Sequence, residues 1–291
     1  MSSVSRSDRS LVGRRCLITG ATSGHGRAVA LALARRHADL VVLGRDRRRC
    51  DALARTITLA SGVQPEVLLC DLSSRAEIDR AADTLLADER PLHLLVNNAG
   101  LVSRHRRETV DGLELTFAVN YLACFQLTLR LLDRLRASRP ARIVNVASDM
   151  HRVASLDPDD LQYRRRYSAL GAYGRSKLAL VYFTVELARR LAGTGVTVNA
   201  VDPGPVASRI ASDNPGLLPR VASALIQQAF PSPERAAKTA VWLASAAELT
   251  GATGGYYKFG TKRTPRLDPK RPHLGAELWR RSAELLGVDL K

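Results

Sequence analysis

Short apolar runs alternate along the chain with longer stretches in which apolar positions recur every three or four residues. Residues 15–19, RCLIT, read as a first strand, and GRAVALALARRH over 26–37 carries its apolar residues at helical spacing. The alternation continues with strands over 40–43, 67–69, 92–96, 142–146, 196–201 and 256–259. Between and after them the spacing predicts helices over 46–60, 74–88, 111–137, 171–191 and 233–247. The strands are near-continuous apolar runs, the pattern of strands covered on both faces. Repeated strand–helix order with right-handed crossovers predicts an α/β fold with a doubly wound parallel sheet of Rossmann type. With no internal repeat and no linker, residues 11–260 read as a single domain. A polar, loose tail precedes it over 1–10, and a C-terminal extension follows over 261–291, with a short helix over 275–286.

Composition narrows the class. Apolar residues make up 45% and charged residues 25%, enough to bury a core without disulfides or metals. Cys16, Cys50, Cys70 and Cys124 are scattered, and no His–carboxylate cluster suggests a metal site. The first ten residues lack the apolar stretch of a signal peptide, and no uninterrupted apolar run is long enough to span a bilayer. These features predict a soluble, cytoplasmic protein without a membrane span. The net charge of +16 raises nucleic acid as a partner. The basic clusters are dispersed and no nucleic-acid module accompanies them, so the expectation is no nucleic acid and attraction of an anionic cofactor instead.

The first strand runs into Thr19-Gly20-Ala21-Thr22-Ser23-Gly24-His25-Gly26, and a helix starts at once. Glycines permit the tight turn and let the backbone approach a pyrophosphate, which the free N–H groups of the helix start then face. At the end of the second strand, Leu43-Gly44-Arg45-Asp46 offers no carboxylate at position 44 to grip a ribose 2′-hydroxyl. Arg45 can pair with a 2′-phosphate, which favours NADP(H) over NAD(H). Asp46 keeps NAD(H) open, and Arg45 can also be read as a solvated loop residue.

These residues resemble the short-chain dehydrogenase/reductase family over about 12–260. The three spaced glycines match one family motif, Asn97-Asn98-Ala99-Gly100 a second, and Tyr173-Gly174-Arg175-Ser176-Lys177 a third. Ser148 ends the fifth strand and Pro203-Gly204 follows the sixth. Finer wording, from Arg142 to Ser148 with His151, then Ser176-Lys177-Leu178-Ala179 and Leu278-Trp279, is similar to the retinol-dehydrogenase-like branch. Departures are His25 for an aliphatic residue, Ala147 for a serine, Asp202 where histidine is common, and the wording after Asn120.

The resemblance implies an NADP(H)-dependent oxidoreductase that moves a hydride between nicotinamide and a carbonyl or alcohol carbon of a lipophilic small molecule. Catalytic roles fall to Asn120, Ser148, Tyr173 and Lys177. Cofactor contacts fall to Gly20, Thr22, Ser23, Gly24, His25, Gly26, Arg45, Asp71, Leu72, Asn98, Ala99, Gly100, Tyr173, Lys177, Pro203 and Gly204. Tyr173 and Lys177, four apart on a helix, share a face, and the ammonium is expected to lower the phenol pKa so that Tyr173 serves as general acid/base. By the same resemblance Ser148 bonds the substrate oxygen, Asn120 holds a relay water, Asn98 sets the fourth-strand turn and Asp71 meets the adenine. Read singly, Ser148 is also a cap, Asn98 and Asn120 are structural amides, Asp71 caps the helix near Ser74, and His151 lines the pocket or packs. Residues 206–230 are expected to cover the substrate. The resemblance further implies a homo-oligomer. A cofactor-sensing protein of the same fold without turnover is the alternative function.

Overall fold

The structure, a computed structural model, describes residues 10–204 and 231–289. An eight-stranded sheet runs in the order β3-β2-β1-β4-β5-β6-β7-β8. The strands are β1 (Arg15–Thr19), β2 (Asp39–Gly44), β3 (Glu66–Leu69), β4 (Leu94–Asn97), β5 (Ala141–Val146), β6 (Val196–Asp202), β7 (Tyr256–Lys258) and β8 (Thr261–Arg263). Every pairing from β3 across to β7 is parallel, and β8 closes the edge as an antiparallel hairpin. The order reverses between β1 and β4, which opens a crevice at the carboxyl ends of those strands.

Side chains on successive strand residues leave opposite faces, so each apolar strand feeds two cores. Leu17, Val41, Leu95, Ile143 and Val198 face one side. There they meet α3 (Arg75–Ala87), α4 (Leu115–Ala137), α5 (Ala169–Arg190) and α7 (Leu274–Leu286). Cys16, Ile18, Leu40, Val42, Leu94 and Val96 face the other, against α1 (Gly24–Ala34), α2 (Arg47–Ser61) and α6 (Pro233–Ser245). Each fully buried Leu, Ile or Val contributes about 1.5–3 kcal/mol of burial free energy.

Element ends differ from expectation for local reasons. α1 begins at Gly24 and stops at Ala34, three residues before His37 takes a positive φ of 61°. α4 does not begin at 111: Thr109 and Gly112 close a turn, Glu108 bridges Glu114, and the buried Glu114 carboxylate then caps the Thr116 and Phe117 N–H groups. A π turn over Ala118–Leu122 interrupts α4. α4 is long and apolar enough to cross a membrane, but 78% of its most apolar window is buried inside the protein. Chemically it is the central core helix, which is why it is apolar.

The segment after 260 belongs to the same body. Residues 261–263 form β8, and α7 lays Trp279 against Phe125 and Phe183, with ring centroids 4.9 and 5.8 Å away. Arg190 covers the indole from 4.3 Å, and the Tyr121 hydroxyl meets Ser282 at 2.7 Å. The extension thus packs against α4 and α5, the two helices that carry Asn120 and Tyr173.

Candidate active site

The β1–α1 turn is built around missing side chains. A Cβ on Gly20, whose φ is +63°, would lie 2.6 Å from the Ala99 Cα. One on Gly26 would lie 2.2 Å from the Asn98 amide nitrogen. Only glycine lets this turn sit directly on the β4 end. Asn98 holds it there: its Nδ2 donates to the carbonyls of Thr19 at 2.9 Å and Gly20 at 3.0 Å. Thr19 Oγ1 in return accepts from the N–H groups of Asn98 and Ala99, both at 3.0 Å. His25 Nδ1 donates to Asn98 Oδ1 at 2.9 Å, since the amide nitrogen is already committed. Burial lowers the His25 pKa, so the ring is neutral. Ser23 precedes α1 without a side-chain cap, which leaves the first N–H groups of the helix without that partner at the carboxyl end of β1.

The end of β2 explains why position 44 carries no acid. A Cβ on Gly44 would stand 2.8 Å from Cys50 Sγ and 3.4 Å from Thr22 Cγ2. Arg45 is exposed and makes no ion pair among the described residues. Asp46 is occupied as the cap of α2, accepting from the Arg49 N–H at 3.1 Å. Asp71 folds back on Ser73, accepting from its N–H at 2.9 Å and its hydroxyl at 2.8 Å, while Ser74 caps α3 and Leu72 packs on the core. The alternative reading of Asp71 as the helix cap is therefore corrected: Ser74 holds that position.

Ser148, at the end of β5, starts a single 3-10 turn over Asp149–Val153 and accepts from the Met150 N–H. α5 approaches this turn at Gly174, where a Cβ would meet the Met150 carbonyl at 3.0 Å and Ala154 Cβ at 3.2 Å. That glycine brings Tyr173 and Ser148 together. Lys177 is buried (3% exposed), with Nζ donating to the Val146 carbonyl at 2.7 Å and standing 5.6 Å from the Tyr173 ring centre. Gly100 lies against it: a Cβ there would be 3.5 Å from Lys177 Nζ and 3.4 Å from Asn120 Oδ1.

Two expectations change here. The first concerns Tyr173. Burial pushes its phenol up, the Ser148 hydroxyl opposes that and the Asp202 carboxylate adds to it. The net shift is upward, not the lowering expected: burial is the largest cause, and the Lys177 ammonium donates to Val146 rather than to the phenol oxygen. Burial instead lowers Lys177 itself to about 8. The second concerns Asn120, in the π turn of α4. Its Nδ2 spends both hydrogens, on the Leu101 carbonyl and on Ser176 Oγ, each at 3.0 Å, and its Oδ1 accepts from the Leu101 N–H at 2.8 Å. The side chain pins the strand-four turn to α5, so Asn120 would hold a relay water through an acceptor oxygen rather than through its amide hydrogens. π turns recur at functional sites, and this one aims the amide out of the helical ladder.

His151 resolves toward packing. It is fully buried, Nδ1 donates to the Ser148 carbonyl at 2.8 Å, Nε2 accepts from the Arg266 N–H at 3.2 Å, and the ring stacks edge-on to Tyr256 at 4.8 Å. Sequence reading missed a charged group behind Ser148. Asp202 accepts from the Asp149 and Gly204 N–H groups and meets Lys258. The positive φ of Gly204, at 76°, turns the chain after Pro203 beside the Phe259 ring. Residues 206–230 lie outside the described residues. Two grooves among the described residues lie away from these groups, one between Asp160 and α7 and one at the amino ends of β1, β4, β5 and β6 near Arg14 and Gly195.

A family model for short chain dehydrogenases matches residues 14–215. The chain belongs to the short-chain dehydrogenase/reductase family. Within it the chain falls in the retinol-dehydrogenase-like branch. It is 40% identical to human retinol dehydrogenase 12 over 98% of this chain and 90% of that protein. It is 37% identical to human retinol dehydrogenase 13 over 97% of this chain and 87% of that protein. A mouse polyprenol dehydrogenase is 39% identical over 95% of this chain and 84% of its own length. Among solved structures, a Mycobacterium paratuberculosis protein superposes with a TM-score of 0.75 at 30% identity, covering 96% of each chain. A short chain dehydrogenase from Escherichia coli CFT073 complexed with NADPH gives 0.70 at 25% identity, covering 88% of this chain and 100% of that one. This short-chain dehydrogenase/reductase is an oxidoreductase acting on CH–OH groups, of a family that uses NAD(P).

Proposed function

We propose that this enzyme is an NADP(H)-dependent oxidoreductase for a lipophilic carbonyl or alcohol, with Tyr173 as the proton-transfer group. The observation that carries the proposal is the convergence of Ser148, Tyr173 and Lys177 beside Gly100, next to a glycine turn with uncapped helix N–H groups. That turn fits a pyrophosphate, because α1 starts there without a side-chain cap on its first N–H groups. The exposed Arg45, which makes no ion pair among the described residues, and the committed Asp46 favour a 2′-phosphate at the end of β2.

NADP(H), when bound, supplies or accepts the hydride; the chain supplies position and proton. Gly20, Thr22, Ser23, Gly24, His25 and Gly26 would hold the coenzyme's pyrophosphate, with Asn98, Ala99, Gly100, Pro203 and Gly204 as further contacts, and Asp71 and Leu72 would meet its adenine. The Ser148 hydroxyl donates to the substrate oxygen as negative charge grows there. Tyr173 keeps its proton at neutral pH, because its phenol is pushed up, and so stands ready to donate it to that oxygen in the reductive direction. In the oxidative direction Tyr173 must first lose its proton, and the buried Lys177 ammonium favours that anion. Asn120 acts as a strut that holds Leu101 and Ser176, and through them the two halves of the site.

A lipophilic substrate is supported by relatives whose names specify retinol and polyprenol. The test is steady-state NADPH oxidation with a panel of apolar aldehydes and ketones, set against short polar ones. Turnover concentrated in the apolar members supports the reading. NADPH binding with no turnover across the panel would instead favour a cofactor sensor.

A further inference from the structure

Behind Ser148 lies a group of charges that the proton-transfer scheme does not use. Asp202 ends β6 and is 3% exposed. Its carboxylate accepts from the Asp149 N–H at 3.1 Å and the Gly204 N–H at 2.8 Å, and Lys258 Nζ stands 3.1 Å away. Lys258 also pairs with Asp149, which accepts in addition from the Tyr256 hydroxyl at 2.9 Å and Arg152 Nε at 3.0 Å. One buried carboxylate therefore ties together the ends of β5, β6 and β7. The residue it grips on β5 is the one following Ser148, and the one it grips on β6 belongs to the turn beside the crevice.

A buried carboxylate is costly unless it is paired and hydrogen-bonded, and removing its cation leaves an uncompensated charge. Two carboxylates here face two cations, with Lys258 shared between both acids. We propose that Asp202 is a positioning residue: it fixes the Ser148 turn opposite Tyr173 and, balanced by Lys258, sets the charge that the phenol meets. The proposal rests on the reading of Tyr173 as the proton-transfer group.

Among the described residues, the groups facing this site come from several elements. Lys177 approaches from α5, with Cys124 of α4 beside it. His25 approaches from α1 and is neutral, and His151 on the 3-10 turn is buried with its pKa lowered. Arg152 and Asp149 share that turn, and Lys258 stands on β7. The Asp202 charge favours the protonated forms of Tyr173 and Lys177 alike. Among these neighbours, only Lys258 balances Asp202 by direct contact.

The experiment compares Asp202→Asn, Lys258→Met and Lys258→Arg. Removing the negative charge is expected to lower the Tyr173 titration by about half a unit to one unit, and removing its balancing cation to raise it by a similar amount. Lys258→Arg should restore the wild-type value. Two readouts serve: the pH dependence of kcat/KM, and 19F NMR of protein labelled with 3-fluorotyrosine and measured without coenzyme. The Tyr173 resonance is assigned from Tyr173→Phe. Opposite shifts from the two partners of one ion pair, down for Asp202→Asn and up for Lys258→Met, support the proposal, because loss of structure alone relieves the burial and lowers both. Shifts of the same sign, or none, overturn it. If Tyr173→Phe turns over normally, the proton-transfer reading fails by itself, while the 19F shifts still decide whether Asp202 and Lys258 set the charge at the phenol.

Discussion

Lys177 donates its Nζ to the Val146 carbonyl at 2.7 Å, which draws a buried ammonium onto the last residue of β5. The contact sets Lys177 between the tyrosine on its own helix and the strand that delivers Ser148. It also has an energetic cost. Burial lowers the Lys177 pKa from 10.5 to about 8, so the folded state binds this proton less tightly than the unfolded chain.

Lys177→Met should therefore make the protein more stable as it loses turnover. Below pH 8 both states of the wild type carry the proton and the full penalty applies. The variant should gain about 1–3 kcal/mol there, less whatever the orphaned Val146 carbonyl costs. As pH rises from about 8 toward 10.5 the folded wild type sheds the proton first, its stability rises, and the advantage should shrink. Urea unfolding at pH 7 and pH 10 checks both the sign and the window.

Gly26→Ala tests the turn. A Cβ would enter the space of the Asn98 amide, 2.2 Å from Nδ2, and 2.4 Å from the Gly20 carbonyl. The turn must then lift from β4. NADPH affinity should fall by at least tenfold while the far-UV circular dichroism stays close to wild type. Calorimetric titration with NADPH gives the affinity directly.

Arg45→Asp addresses coenzyme choice. Arg45 is exposed, and Asp46 is held as a cap, so the substitution perturbs little of the fold. The ratio of kcat/KM for NADPH over NADH should drop by one to two orders of magnitude, about 1.4 kcal/mol per factor of ten. An unchanged ratio would assign the phosphate contact to another residue.

Trp279→Ala probes the C-terminal helix. The indole fills the space between Phe125 and Phe183 and lies under Arg190. Removing a buried aromatic of this kind costs about 3–5 kcal/mol. The melting temperature should fall, and turnover should fall with it, because α4 and α5 lose a shared wedge. A variant with a wild-type melting temperature would mean that α7 is not docked there.

Much of the fold was legible because its signals are local. The apolar runs of β1, β2, β5 and β6 and the spacing of α1 and α5 name their own elements. Glycines at 20, 24 and 26 and the Tyr173–Lys177 pair lie within single turns or helices. What was not legible depends on distance or on the absence of a pattern. β8 is Thr-Lys-Arg, exposed throughout, and carries no apolar alternation. α4 starts later than its spacing predicts because Asp111-Gly112 reads like a helix entry, whereas Gly112 turns the chain with a φ of 72°. The bond from Asp202 to Asp149 spans 53 residues and that from Lys258 to Asp149 spans 109, so no spacing announces the cluster. Helical spacing gives the proximity of Lys177 to Tyr173 but neither the burial that raises the phenol nor the direction of Nζ, which Val146 claims.

The central claim is that Tyr173 carries the proton. Tyr173→Phe removes one oxygen from a site whose other contacts remain. The direct measurement pairs NADPH affinity with kcat on the best apolar carbonyl substrate for wild type and variant. The account predicts NADPH affinity within about threefold and kcat lowered at least a thousandfold, about 4 kcal/mol of lost transition-state stabilisation. A variant that turns over within tenfold of wild type would contradict it.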